Sequence, residues 1–199
     1  METIRGKASL DLDLTELKER LANYHRILLD LGTGDGKFAF CHADKFPDRF
    51  VIGVDSCREN LHEYSRAKLP NLLYIIASAQ NLPQELNGLI SNITINFPWG
   101  SLLESLLIGD SKLMSGLASI SRSATTVEIR LNGGALTEAG WRLEAGAEKI
   151  YTNLLQAGWQ VNIPVLMNTN ALRSFPSTWA KRIAFGRDPR AIEINGRYQ

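Results

Sequence analysis

Cysteine is scarce. Cys41 and Cys57 are the only two in 199 residues, and neither has metal-ligating neighbours. That excludes a disulfide framework and points to a reducing compartment, so the chain is expected in the cytoplasm. Histidine is almost as rare. His25, His42 and His62 are scattered without ligand spacing, so no metal site is expected. No run of eighteen apolar residues exists, and no membrane span is expected. The N-terminus lacks a basic segment followed by an apolar stretch, so no secretion signal is expected. Repeats and low-complexity tracts are also missing. A large charge of one sign is lacking too, because the net charge is +1. This total does not announce a nucleic-acid binder, but distribution matters more. From Arg173 to Gln199, six Lys/Arg stand against two acids, a local charge of +4. The C-terminal end is basic and the remainder mildly acidic.

What is present fits one full-sized domain, 1–199, with ordinary hydrophobic content of 44%. Ile4 to Leu12 alternates around Gly6-Lys7, which predicts a small hairpin within 1–12. Asp13 with Glu16 forms a capping-box start for a helix carrying Leu14, Leu17, Leu21 and Tyr24 on one face. Short apolar runs then alternate with helical patterns. The strands are expected at Ile27–Leu29, Phe50–Val54, Leu72–Ile76, Leu89–Asn96, Ala124–Leu131, Gln160–Met167 and Ala191–Arg197. The helices are expected at Lys37–Lys45, Glu59–Lys68, from Ser101, near Lys112–Ser121, Glu138–Gln156 and Thr178–Phe185. This pattern predicts an α/β fold: a seven-stranded, mostly parallel, Rossmann-like sheet with helices on both faces, plus the hairpin. Ligands of such sheets sit beyond the carboxyl ends of the strands.

The principal motif is Asp30-Leu31-Gly32-Thr33-Gly34-Asp35-Gly36, directly after the first buried strand. Its glycines allow a sharp turn and close approach of a ligand to the backbone. The next helix points its N–H groups there. Asp55 ends the second strand, 19 residues after Gly36, where a carboxylate can take ribose hydroxyls. The spacing is G-x-G-x-G with an acid two residues earlier, not the dinucleotide G-x-G-x-x-G. An acid beside the turn suits a cationic ligand such as S-adenosylmethionine (SAM) better than a pyrophosphate. A nucleotide-binding dehydrogenase remains the competing reading. The motif resembles motif I of class I methyltransferases, and Asp55 resembles their motif II acid. That class places adenine at a stretch like Ala77-Ser78-Ala79-Gln80.

Two aromatics stand outside apolar faces. Trp99 lies in Asn96-Phe97-Pro98-Trp99-Gly100 at the end of the fourth strand, and Trp179 lies in the basic C-terminal stretch. A flipped base is commonly held between aromatic planes. From spacing alone, clamp and core readings of these two remain open. Trp141 and Trp159 read as core.

The segments Leu29–Gly36, Gly53–Asp55, Ile76–Pro83, Phe97–Glu104 and Trp179–Arg187 resemble, in order, the 16S rRNA adenine-1408 N1-methyltransferases that confer aminoglycoside resistance. The resemblance implies SAM bound by Asp30, Gly32, Thr33, Gly34, Asp35, Asp55, Ala79, Gln80 and Pro98, with Ser177 supporting cofactor or linker. It implies a flipped adenine clamped by Trp99 and Trp179. It implies rRNA contacts from Lys181, Arg182, Arg187, Arg66 and Lys68, with 168–190 as a recognition segment. The implied partner is the 30S subunit, met by a monomer. Two departures lower the positive charge: only Arg66 and Lys68 follow the second strand, and Asp188-Pro189 follows Arg187. Other readings kept open are a methyltransferase for another RNA base and a SAM-binding ribosome-associated protein without catalysis. The Asn96–Trp99 segment also resembles the N-P-P-Y of amino methyltransferases and the F-P-D-P-W of tRNA guanine-N7 methyltransferases. It lacks the second proline of the first and the Asp-Pro insertion of the second.

Overall fold

The computed structural model describes residues 1–186 and 188–199. Its first element is the hairpin, β1 (Glu2–Arg5) and β2 (Ala8–Asp11). Helix α1 (Leu14–Leu21) follows, capped by the Asp13 carboxylate, which accepts the Glu16 amide at 2.9 Å. The apolar runs then become β3 (Arg26–Leu31), β4 (Arg49–Asp55), β5 (Leu72–Ile76), β6 (Ile90–Asn96) and β7 (Ser121–Asn132), all parallel. Helix α2 (Lys37–Lys45) joins β3 to β4. Helices α3 (Gly100–Ile108) and α4 (Ser111–Ile120) join β6 to β7. After β7 come α5 (Gly133–Glu138) and α6 (Leu143–Gln156). Strands β8 (Trp159–Val161) and β9 (Val165–Leu166) follow, then α7 (Thr169–Ser174) and α8 (Thr178–Ala184). The last strand, β10 (Ala191–Tyr198), runs antiparallel between β7 and β8.

The sheet has ten strands in the order β2-β1-β5-β4-β3-β6-β7-β10-β8, with β9 beside β10. Chain order reverses between β3 and β6, so a crevice opens at their carboxyl ends. One face packs Leu29, Ile52, Ile93 and Ile129 against Leu103, Leu117 and Ile150 of the helices. The other packs Leu28, Val51 and Tyr74 under Phe38, Ala39 and Ala43 of α2. Farther along this face, Leu172 of α7 and Ala180 and Ala184 of α8 pack with Ala191 of β10. Glu128, Arg130, Glu193 and Asn195 line an open polar groove beyond it.

Four local expectations need correction. Residues 59–68 form two 3-10 turns, Arg58–His62 and Tyr64–Arg66, rather than a helix. Ser65 accepts the Gly6 amide at 2.9 Å and Arg58 donates to the Lys7 carbonyl at 3.0 Å. These ties to the hairpin override helical propensity. The 138–156 helix starts later, because Gly140 at φ +82° ends α5. Trp141 therefore falls in the turn and is 36% exposed, whereas Trp159 is core at 1%. The expected strand 160–167 breaks at Asn162–Pro164 into β8 and β9, since proline has no N–H for the ladder. That break raises the strand count above the expected seven plus two. Among the described residues, no helix is long and apolar enough to cross a membrane.

Candidate active site

The loop after β3 is held in place from below. Asp30 is 1% exposed and accepts hydrogen bonds from the hydroxyls of Thr33 and Thr94 and from the Asn96 amide. Arg130 fixes the orientation of that amide by donating to the Asn96 Oδ1 at 2.9 Å. Burial pushes the Asp30 carboxyl up to about 6, opposed by those three donors and by the Arg130 charge. A desolvated acid thus lies under the loop, with no direct ion pair among the described residues. Tyr74 fills the space beneath Gly36 and donates to its carbonyl at 2.7 Å. A Cβ on Gly36 would stand 2.6 Å from the Tyr74 ring, so this position needs glycine for room as well as for its φ of +81°.

Above the loop lies a cleft of about 260 Å³ at the carboxyl ends of β3, β4, β5 and β6. Its walls include Gly32, Gly34, Asp55, Ala79, Gln80, Pro98, Trp99 and Trp179. Asp55 is oriented by two backbone donors, Gly34 and Cys57, each at 2.8 Å. Burial raises its carboxyl from the usual value, against those two bonds and the Asn60 side chain. The carboxylate lines the cleft, where a diol can reach it. Gln80 is fixed by Ser105, to which it donates at 2.7 Å.

Four residues assigned to the cofactor by sequence do not line the cleft. Asp30 and Thr33 lie beneath its floor, bonded to each other. Asp35 is engaged by the Lys37 amide at 3.1 Å and the Thr178 hydroxyl at 2.7 Å. Ser177 is buried at the start of α8. Sequence reasoning passed over Asn96, Phe97 and Asn60, which do line it. Phe97 adopts φ +54°, a left-handed conformation that costs a bulky residue about 1–2 kcal/mol. It turns the chain so that Pro98 and Trp99 become a wall. The Asn-Phe-Pro run was visible, but nothing in it signals a positive φ.

The two tryptophans meet at the mouth. Their rings are 5.8 Å apart at 25°, and each residue is 43% exposed. This places both outside the core. Trp179 is carried by α8, and the Arg182 guanidinium lies 5.1 Å over its ring. The preceding segment is anchored by Phe175, which stacks on Phe38 at 5.2 Å, meets Phe97 edge-on at 5.6 Å and lies under Arg130 at 4.8 Å. Phe175 and Arg130 were not singled out from sequence. Lys181 and Arg182 are exposed beside Trp179, while Arg66 and Lys68 are exposed on the connector from β4 to β5. Arg187 lies outside the described residues.

A glycine turn, a strand-end acid and a stacked indole pair thus share one cleft. The sequence profile of the NpmA family, 16S rRNA (adenine(1408)-N(1))-methyltransferase, matches residues 2–198. The chain belongs to this family. An Escherichia coli 16S rRNA (adenine(1408)-N(1))-methyltransferase is 30% identical to it over 217 residues, covering 98% of each chain. A protein of the same name from Streptoalloteichus hindustanus is 29% identical, covering 94% of each. Among solved structures, the 16S rRNA methyltransferase KamB has a TM-score of 0.89 at 27% identity over the full length of both chains. A mutant of the Catenulisporales acidiphilia 16S rRNA (adenine(1408)-N(1))-methyltransferase, solved with its cosubstrate SAM, has a TM-score of 0.86 at 25% identity, covering 100% of this chain and 96% of that one. The methyltransferase cleft seen here fits such a cosubstrate. It offers a buried anion beneath the floor for a cationic ligand and an oriented carboxylate for a ribose.

Proposed function

We propose that this chain transfers a methyl group from SAM to N1 of adenine 1408 of 16S rRNA in the assembled 30S subunit, giving aminoglycoside resistance. It does so in the cytoplasm, as a monomer and without a metal. The observation that carries this reading is the exposed Trp99–Trp179 pair at the mouth of the Asp55 cleft. The whole chain, 1–199, serves as one methyltransferase domain, with 168–190 as its target-recognition segment. When bound, SAM supplies an electrophilic methyl on a sulfonium. Asp55 takes the ribose hydroxyls, while Gly32 and Gly34 let the backbone approach the ligand. Ala79, Gln80 and Pro98 bound the adenine end of the cosubstrate. Asp30 contributes charge from beneath, held by Thr33, and Ser177 supports the start of α8.

Adenine N1 carries an available lone pair at neutral pH, so no general base is required. The lone pair forms the new N–C bond, the S–C pair leaves with sulfur, and the positive charge passes to the adenine. Catalysis is then positioning, which can supply about 7–11 kcal/mol of a barrier. Trp99 and Trp179 set the position, and their π faces stabilise the cationic product. Lys181, Arg182 and Arg187, with Arg66 and Lys68, hold rRNA phosphates and recognise the folded subunit by shape.

The test is methyl transfer from labelled SAM to purified 30S subunits, with the nucleoside identified by mass spectrometry and mapped by primer extension. N1-methyladenosine at position 1408 is expected. Unlabelled 30S subunits with normal SAM binding would overturn the target. A different methylated nucleoside would overturn the N1 assignment.

A further inference from the structure

Asp35 sits in the cofactor turn, yet its carboxylate serves another part of the protein. One oxygen accepts the Lys37 amide at 3.1 Å, and the other accepts the Thr178 hydroxyl at 2.7 Å across 143 residues of chain. Thr178 immediately precedes Trp179. Gly34, next to Asp35, gives its amide to Asp55 at 2.8 Å, and a Cβ placed on Gly34 would stand 3.9 Å from the Trp179 Nε1. Three consecutive links therefore join the ribose-facing carboxylate, the turn and the second wall of the clamp. Among the described residues, the Thr178 bond is the only side-chain hydrogen bond that α8 makes to the rest of the protein.

The spacing of the indoles gives this bond work to do. A base between two rings needs a van der Waals contact on each side, so the walls must stand about 7 Å apart. The observed separation is 5.8 Å, so one wall has to shift to admit an adenine. Trp99 is continuous with β6 and α3. Trp179 rides on a segment fastened by the Phe175 stack on one side of it and by Thr178 next to it. We propose that the Asp35–Thr178 hydrogen bond is a latch. Asp35 and Thr178 are positioning residues that tie Trp179 to the cofactor turn, so that an ordered turn limits how far the movable wall swings as it opens from the 5.8 Å seen here to admit the flipped base. This inference rests on the adenine-methylating function proposed above.

The experiment compares the wild type, Thr178→Val and Thr178→Ser. It reads SAM affinity by calorimetry, kcat and KM for 30S subunits, and the rate of tryptic nicking at Arg173, Lys181 and Arg182. In Thr178→Val, kcat is expected to fall about tenfold or more, because small misplacements at a reacting centre cost up to about a hundredfold. SAM affinity and the 30S KM should stay within about threefold, since phosphate contacts and the cleft walls are untouched. Thr178→Ser keeps the hydroxyl and should recover wild-type kcat, and only the valine variant should be nicked faster. Three results would overturn the latch: wild-type turnover in Thr178→Val, a serine variant as impaired as the valine variant, or a loss of SAM affinity equal to the loss of kcat. If the wild type itself leaves 30S subunits unlabelled, the functional reading falls. The latch is then judged by nicking alone, and equal rates in wild type and Thr178→Val would overturn it.

Discussion

Burial governs the behaviour of Asp30. Its carboxyl is raised to about 6 by desolvation, from a usual 3.8. A raised pKa means that the folded state holds the proton more tightly than the unfolded chain. The contribution to stability is fully present below 3.8 and is lost as pH rises through about 6. That interval corresponds to roughly 3 kcal/mol. The ligand-free protein therefore carries an unfavourable buried charge at neutral pH, and a cationic ligand offsets it. Asp30→Asn should gain stability relative to the wild type as pH rises from 4 to 7, read by urea unfolding at several pH values. SAM affinity should show the opposite trend, with the wild type binding more weakly as pH falls below about 6 and the asparagine variant binding weakly throughout. Parallel unfolding curves for the two proteins would remove the argument.

The tryptophans make a separate claim. Base–aromatic stacking is worth about 1–3 kcal/mol per base, so losing one wall should cost about ten- to a hundredfold even before positioning is counted. Trp99→Ala and Trp179→Ala should each nearly abolish methylation while SAM still binds. Wild-type-like turnover in either variant would remove the clamp. What sequence could show at this scale was uneven. Asp55, Gly32, Gly34, Gln80 and both tryptophans line the cleft, although spacing alone left the tryptophans open between clamp and core. Asp35 was legible as part of the motif but not as Thr178's partner, because a bond across 143 residues leaves no local pattern. The same holds for Arg130, whose contact with Asn96 depends on the register of two neighbouring strands.

Elements were legible where periodicity was strong and unbroken. The strands β3 to β5 appear as short apolar runs because both their faces are buried, whereas β7 alternates, with Thr126, Glu128 and Arg130 on its polar face. Departures came where one residue or one distant contact breaks the pattern, as at Gly140, Pro164 and the 58–66 connector. Element ends also depend on side chains that no period reveals. Asn153 is 5% exposed in α6 and donates to the carbonyls of Leu106 and Leu107, at 2.8 and 2.9 Å. These are two of the last four carbonyls of α3, whose C-cap is Gly109. Asn153→Ala leaves two buried acceptors unpaired, at about 1–3 kcal/mol each before relaxation. A loss of about 2–4 kcal/mol overall is expected, lowering Tm by about 5–15 °C in a chain of this length. Methyl transfer at 25 °C should be unchanged, since the residue is remote from the cleft. A Tm within a degree of wild type would show that the helix end is satisfied otherwise.

For the whole molecule, charge placement matters more than its sum. The sequence gives 173–199 a local +4, but the structure removes part of that from any RNA face. Arg190 is bonded through its guanidinium to Asp188 at 2.9 Å and to Glu144 at 3.1 Å. Asp188, the acid that follows Arg187 in sequence, is thus neutralised internally. Lys181 and Arg182 stay exposed beside Trp179, with Arg66 and Lys68 on the β4–β5 connector. RNA affinity arising from phosphate contacts falls with salt in proportion to the number of contacts, by nearly one unit of slope per contact. The double variant Lys181→Ala/Arg182→Ala should therefore weaken 30S binding and flatten its log–log salt dependence by about 1.5–2. Arg190→Ala should leave the slope unchanged, because its charge already faces two carboxylates. Filter binding to 30S subunits across a salt series separates these outcomes. An unchanged slope in the double variant would move the RNA-facing surface away from α8, and a slope lost in Arg190→Ala would mean that its carboxylate partners release it when the subunit binds.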